Sequence, residues 1–234
     1  IALEKNVKGK ISDYSLYSIC IDKEGILWIG TDFGGLNRFD PTRKNFVNYL
    51  HSETNSSTIA SNFVRYVYCD ASNNIWVGTN SGLDFFNRKS ETFEHYNIDN
   101  GLVGNTIQGI VEGEKNVIYI STNSGISRFD ITNKKITNFS AKNGLFSDEY
   151  STGACLRRKS GELVFGSVNK GVLSFFPEQL RTIVSQPDVH FVSFKVKNKE
   201  INPITGKHDQ NQILYSDEVK LDYNQSKDIT IGFQ

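Results

Sequence analysis

The sequence predicts an all-β chain, a run of β-propeller blades forming a partial ring and joined to the start of a second β-domain. Three observations predict it. A two-block repeat recurs every 43 to 48 residues, its copies alternate apolar with polar residues, and the pattern changes abruptly after Phe176-Pro177.

The first block is Ile26-Leu27-Trp28-Ile29-Gly30-Thr31, which returns as Ile75-Trp76-Val77-Gly78-Thr79, as Ile118-Tyr119-Ile120-Ser121-Thr122 and, more weakly, as Leu163-Val164-Phe165-Gly166-Ser167. The second block follows each of them: Gly35 to Asp40, Gly82 to Asn87, Gly125 to Asp130 and Gly171 to Phe176. Period-2 runs place four short strands in the first copy, Leu16 to Ile21, Ile26 to Thr31, Leu36 to Phe39 and Phe46 to Tyr49. Lys23-Glu24-Gly25 and Ser72-Asn73-Asn74 turn strand one into strand two with residues that tolerate positive φ, and Pro41 to Lys44 or Thr132 to Lys134 turn strand three into strand four. Four antiparallel strands per copy make a propeller blade.

Trp28, Trp76 and Tyr119 sit mid-strand among apolar neighbours, which reads as core between blades rather than as a ligand platform. The glycines that open each second block serve tight turns, and no GxGxxG or Walker pattern is present to cradle a phosphate. Three copies are complete and the fourth lacks an obvious outer strand, so residues 1–180 are expected to be the C-terminal blades of a propeller whose other blades precede them. An initial Ile and the absence of Met fit an internal piece of a longer protein.

Beyond Pro187 the alternation differs. Val192, Phe194 and Val196, then Val219, Leu221 and Tyr223, then Ile229, Ile231 and Phe233 alternate with polar residues as half-buried strands of a sandwich do, and residues 187–234 are expected to begin a second domain.

Composition excludes several classes. With 26 basic against 26 acidic side chains the chain has no electrostatic signature of nucleic acid or of an anionic membrane, and no 18-residue apolar run crosses a bilayer within it. Cys20, Cys69 and Cys155 form no CxxC pair, and their odd number argues against a purely intramolecular disulfide framework; all three are expected to be unpaired, with Cys20 facing opposite to the other two.

The strings Leu27 to Thr31 followed by Gly34-Gly35-Leu36-Asn37-Arg38-Phe39-Asp40-Pro41, with Asn100-Gly101-Leu102 and Asn143-Gly144-Leu145 between copies, resemble the regulator-propeller repeats of hybrid two-component sensors of Bacteroidetes. In that family the last blades run into an immunoglobulin-like domain named for three tyrosines, whose opening residues 187–234 resemble. The resemblance implies a periplasmic sensor, commonly of a carbohydrate breakdown product, anchored by a membrane helix beyond this sequence. It also implies a homodimer in the intact protein, with a cytoplasmic histidine kinase and a transcriptional output outside this segment.

Catalytic patterns are missing. His51, His95, His190 and His208 fall in different elements, with no HExxH and no GxSxG elbow. The run Asp22 to Trp28 faintly resembles a sialidase box, but its spacing differs and its serine is absent; Asp22 and Asp70 are expected instead to bond amides within their own hairpins. No cofactor and no metal site is expected. Two other readings stay open: a lyase resembling the streptogramin lyases, which needs a His and acid cluster around a divalent metal, and a non-catalytic protein-interaction propeller.

A small carbohydrate would bind on the face built from loops between strands two and three and from the starts of strand one. The loops nominate Asp32, Phe33, Asn80, Asn123, Asn169 and Lys170, and the strand starts nominate Tyr17, Arg65 and Gln108. Such residues offer forked donors and acceptors to hydroxyls and a π surface to a sugar face. The Asn positions also have a plain reading as turn residues, whereas Arg65 and Phe33 break the repeat where no turn requires them. The expected ligand is neutral or weakly charged, bound without turnover.

Overall fold

The computed structural model describes residues 9–141, 145–180, 191–196, 199–200 and 229–233. The chain divides into two compact units, Ile1–Thr182 and Ile183–Gln234.

The first unit is four consecutive blades. Blade 1 holds β1 (Leu16–Ile21), β2 (Leu27–Thr31), β3 (Leu36–Asp40) and β4 (Asn45–Tyr49). Blade 2 holds β5 (Val64–Cys69), β6 (Ile75–Thr79), β7 (Leu83–Asn87) and β8 (Thr92–Tyr96). Blade 3 holds β9 (Ile107–Glu112), β10 (Val117–Thr122), β11 (Ile126–Asp130) and β12 (Lys135–Phe139). Blade 4 holds β13 (Tyr150–Arg157), β14 (Leu163–Ser167) and β15 (Gly171–Phe175), three strands among the described residues where the others have four. Every blade is an antiparallel meander, so strand order in space is strand order in sequence. The expected strands of the first copy lie within a residue of those observed.

The repeated residues earn their recurrence in three ways. First, Gly35, Gly82 and Gly125 adopt positive φ, and an added Cβ would strike the carbonyl oxygen of Tyr49, Tyr96 or Phe139 on the neighbouring strand. Second, the hydroxyls of Thr31, Thr79 and Thr122 are buried and donate to the carbonyls of those same glycines at 2.8, 2.9 and 3.0 Å, closing the loop between strands two and three. Third, Trp28, Trp76 and Tyr119 are at most 1% exposed and pack across to the next blade, Trp28 on Phe86, Trp76 on Phe129 and Tyr119 on Phe175.

Asp22 and Asp70 do bond their hairpin amides, at Glu24 and Ile26 and at Ser72 and Asn74. They do more than expected. Each also takes the indole N–H of its blade's tryptophan at 2.9 Å, so one buried carboxylate fastens both the hairpin and the ring behind it. Burial opposes ionisation of Asp22, but the bonds from Trp28, Ile26 and Arg88 outweigh it and hold the carboxyl below its ordinary range. Blade 3 changes both partners at once. Gly113 replaces the aspartate beside Tyr119, and a Cβ there would run into the Tyr119 ring, whose hydroxyl is buried without a hydrogen-bond partner among the described residues.

The cysteine expectation is overturned: Cys20 and Cys69 form a disulfide, with Cα atoms 6.2 Å apart, and Cys155 is free. Cys20 stands opposite Trp28, whereas Cys69 stands opposite Ile75, one place further along its strand. Neighbouring positions project to opposite faces. Cys20 therefore faces forward and Cys69 backward, and because stacked blades meet front to back, that offset joins the two sulfurs.

A polar latch between strands three and four pins the segment that leads into each of the first three blades. Asn37 and Asn48 hold Ser12 N at 2.9 Å and Lys10 O at 3.3 Å; Ser127 and Asn138 hold Val103 N at 3.0 Å and Gly101 O at 2.8 Å. In blade 2 the pair is Asp84 and His95, which hold Ala60 N at 2.9 Å and Ser56 O at 2.8 Å and meet each other at 2.6 Å. His95 Nε2 faces a carbonyl and must donate, while Nδ1 faces a carboxylate oxygen, so the pair retains one proton more than a carboxylate beside a neutral imidazole. Both shifts agree with this, the bond to Asp84 raising His95 above its ordinary 6.5 and burial raising Asp84. A raised folded value stabilises fully below the unfolded value and is lost as pH rises through the folded one. The stability difference between the native chain and His95→Gln, measured by urea unfolding, is thus expected to be greatest below pH 6.5 and to shrink above it; a difference that grows with pH would contradict the latch.

In the second unit β16 (Phe191–Val196) pairs with β17 (Lys199–Glu200) on one side and β18 (Ile229–Phe233) on the other, all antiparallel. The runs around Val192 and Ile229 are thus strands as expected; the boundary at Pro187 and the run Val219 to Tyr223 lie outside the described residues, as do Asn143 and Gly144.

Candidate functional site

The first strand of each blade is interrupted near its start. In blade 1 the pairing of β1 with β2 skips between Leu16 and Ser18; in blade 2 that of β5 with β6 skips between Val64 and Tyr66. Blade 3 pairs Ile107 and Gly109 with consecutive residues of β10, leaving Gln108 out, and blade 4 skips from Tyr150 to Cys155. The residues left out are Tyr17, Arg65, Gln108 and, in the longer gap, Ser151 to Ala154. A bulge leaves its residue unpaired and re-aims the side chain. Thus the three strand-start candidates occupy one structural position in successive blades.

These residues meet. Arg65 Nε donates to Asn80 Oδ1, and its Nη1 donates to Thr152 Oγ1 at 3.2 Å; Thr152 in turn donates to Gln108 Oε1. The guanidinium carbon lies 4.9 Å over the ring of Phe63. Phe63 also contacts Tyr17, with ring centroids 5.6 Å apart, and Phe33 edge to face at 5.5 Å. One continuous cluster therefore runs from the blade 1 loop through the bulges of blades 1 to 4. Its aromatic end is open, with Phe33 72% and Tyr17 45% exposed.

Asp32 begins the loop that carries Phe33, and its Oδ1 is buried without a partner among the described residues. Asp13 fixes that loop by accepting the amides of Phe33 and Ser15, bonds that keep its carboxyl below the usual range. Of the remaining candidates, Asn123 is exposed in its loop, and Asn169 takes a left-handed conformation in an exposed turn beside Lys170. No hydrogen bond, ion pair or ring contact joins the side chains of these three to the cluster among the described residues. Two members were missed, Phe63 and Thr152. Phe63 precedes its strand, and Thr152 sits in a gap longer than the other bulges, so neither aligns with a nominated position in the repeat.

The histidines in the blades are occupied elsewhere: His51 Nδ1 lies 2.8 Å from Ile59 O, and His95 belongs to the latch. His190 and His208 lie outside the described residues. Among the described residues no three His, Cys, Asp or Glu side chains group as metal ligands, and no helix is long and apolar enough to cross a membrane.

The model of the family Two component regulator propeller matches residues 10–33 and 58–81, the entries into blades 1 and 2. The chain is 24% identical over 271 aligned positions to Histidine kinase P4 of Formosa agariphila, covering 93% of this chain but 20% of that protein. Among solved structures it resembles the extracellular domain of a putative hybrid two component system from B. thetaiotaomicron, with a TM-score of 0.73 at 22% identity over 96% of this chain and 30% of the other. A second such domain gives 0.61 at 22% identity, over 89% of this chain and 31% of the other. A catalytically inactive virginiamycin B lyase from Staphylococcus aureus shares the fold at 0.53 and 15% identity, covering 85% of this chain and 67% of the other. The chain spans a fifth of that kinase and less than a third of those extracellular domains. The entries into its first two blades carry the two component regulator propeller repeat, and the chain has the fold of the extracellular domains of hybrid two component systems.

Proposed function

We propose that this chain is part of the periplasmic ligand-sensing region of a hybrid two-component sensor, and that the bulge face of blades 1 to 4 binds a small saccharide without turning it over. The observation that carries the reading is the cluster itself, in which one re-aimed side chain from each of four blades joins an exposed aromatic wall. A saccharide suits it, because amide and guanidinium forks engage hydroxyls while Phe33 and Tyr17 take an apolar sugar face. The inter-blade disulfide supports an oxidising compartment such as the periplasm. The kinase, the membrane anchor and the homodimer that would transmit the signal belong to sequence outside this segment, and residues 187–234 begin its immunoglobulin-like domain. A sensor needs only differential affinity between two states, and chemistry would consume its signal.

Calorimetry against a saccharide panel, with product analysis, tests the reading. Saturable binding without products is expected, with Phe33→Ala weakening it roughly tenfold, about 1.4 kcal/mol. Products formed in the presence of a divalent metal would move the assignment to the lyase class, and no binding by any saccharide would favour a protein partner.

A further inference from the structure

Resting on that reading of the face as a ligand site, we infer that its ligand is an acidic saccharide, whose anionic oxygens are met by Arg65, Asn80 and Gln108 while the sugar lies against Phe33 and Tyr17. The argument is one of hydrogen-bond polarity. Arginine can only donate. Its Nε therefore fixes Asn80 with the oxygen inward, and the amide nitrogen of Asn80 is left turned away. Its Nη1 makes Thr152 an acceptor, so the hydroxyl proton of Thr152 must go to Gln108 Oε1, and the amide nitrogen of Gln108 is likewise left turned away. Acceptors are consumed inside the chain of bonds and donors remain at its ends. Among the described residues no hydrogen bond engages Asn80 Nδ2 or Gln108 Nε2, and three of the five N–H groups of Arg65 remain for a ligand.

Charge points the same way. Of the seven described arginines, Arg38, Arg43, Arg88, Arg128 and Arg158 lie within 4 Å of a carboxylate oxygen, whereas Arg65 and the exposed Arg157 do not. Arg65 is half-buried on Phe63 and its hydrogen bonds go to neutral oxygens, with no ion pair among the described residues. Asp13 is committed to the amides of its own loop, and neither it nor Asp32 pairs with Arg65. A planar guanidinium whose remaining fork is flanked by two amide donors matches a carboxylate in shape and sign. The zero net charge of the chain gave no hint of this, because balance over the whole sequence does not require balance at one face.

The test uses the full chain and matched probes: a disaccharide carrying a uronic acid, its methyl ester, the neutral parent sugar and a sulfate ester of that parent. Calorimetry is expected to show the acid binding at least tenfold tighter than its methyl ester. Arg65→Gln should erase that preference and Arg65→Lys should keep part of it, with near-ultraviolet circular dichroism unchanged. Phe33→Ala should weaken acid and ester by the same factor. A sulfate ester that binds more tightly than the acid supports an anionic ligand and assigns its group to a sulfated rather than a uronic sugar. Equal binding of acid, ester and parent overturns the acidic class while leaving the saccharide sensor intact. No binding of any probe by a folded chain overturns both.

Discussion

Replacing Trp76 with alanine is expected to lower the free energy of unfolding by about 3 to 5 kcal/mol, the range for truncating a large aromatic in a packed core. The indole is 1% exposed and touches Phe85, Tyr96 and Phe129 at centroid distances of 5.0, 6.4 and 5.7 Å, the last from the next blade. Truncation therefore opens a cavity at the seam between blades 2 and 3. It also removes the donor that Asp70 holds at 2.9 Å, leaving a buried carboxylate oxygen short of one bond. Trp76→Phe separates the two losses, keeping most of the packing and forfeiting the hydrogen bond, for a cost of about 1 to 3 kcal/mol. Chemical denaturation measures both. A loss below about 1 kcal/mol for the alanine variant would mean that this ring does not hold the seam.

The second large effect concerns the disulfide. Cys69→Ser, or reduction of the native chain, is expected to destabilise by roughly 4 kcal/mol, since the bridge closes a 49-residue loop and removes that freedom from the unfolded chain. The bridge ties the first strands of two blades, so its loss falls on the seam between blades 1 and 2, which otherwise depends on Trp28, Phe86 and their neighbours. Thiol titration of the unfolded, unreduced chain should find one group, Cys155, and three groups would overturn the bridge.

The blades were legible because their determinants are local and repeated. Gly35 and Thr31 close a loop inside one blade, Trp28 bonds Asp22 of its own hairpin while packing on the next blade, and each type recurs because successive blades pose the same problems again. The disulfide was illegible for the opposite reason. The opposite parity of Cys20 and Cys69 along their strands is visible in the sequence, but parity says which faces the side chains take and not which faces meet once blades stack. The cluster falls between these cases. Tyr17, Arg65 and Gln108 could be nominated from their place in the repeat, and Phe33 from its departure from it. Thr152 could not, because the gap from Tyr150 to Cys155 puts it out of register with the other three bulges. Nor could Phe63, whose part as the ring between Tyr17, Phe33 and Arg65 exists only after two blades come together.

The bulges have a consequence for how such a chain can diversify. At ladder positions a residue answers to the strand it pairs with, and a change there costs stability. Each first strand pairs with a single neighbour, and the residue left out at its bulge has no partner even there, so Tyr17, Arg65 and Gln108 can be exchanged with little penalty to the ladder of the blade that carries them. A propeller of this kind is a reading head with one interchangeable character per blade. New chemical preferences arise by rewriting those characters, while the text that specifies the scaffold stays fixed.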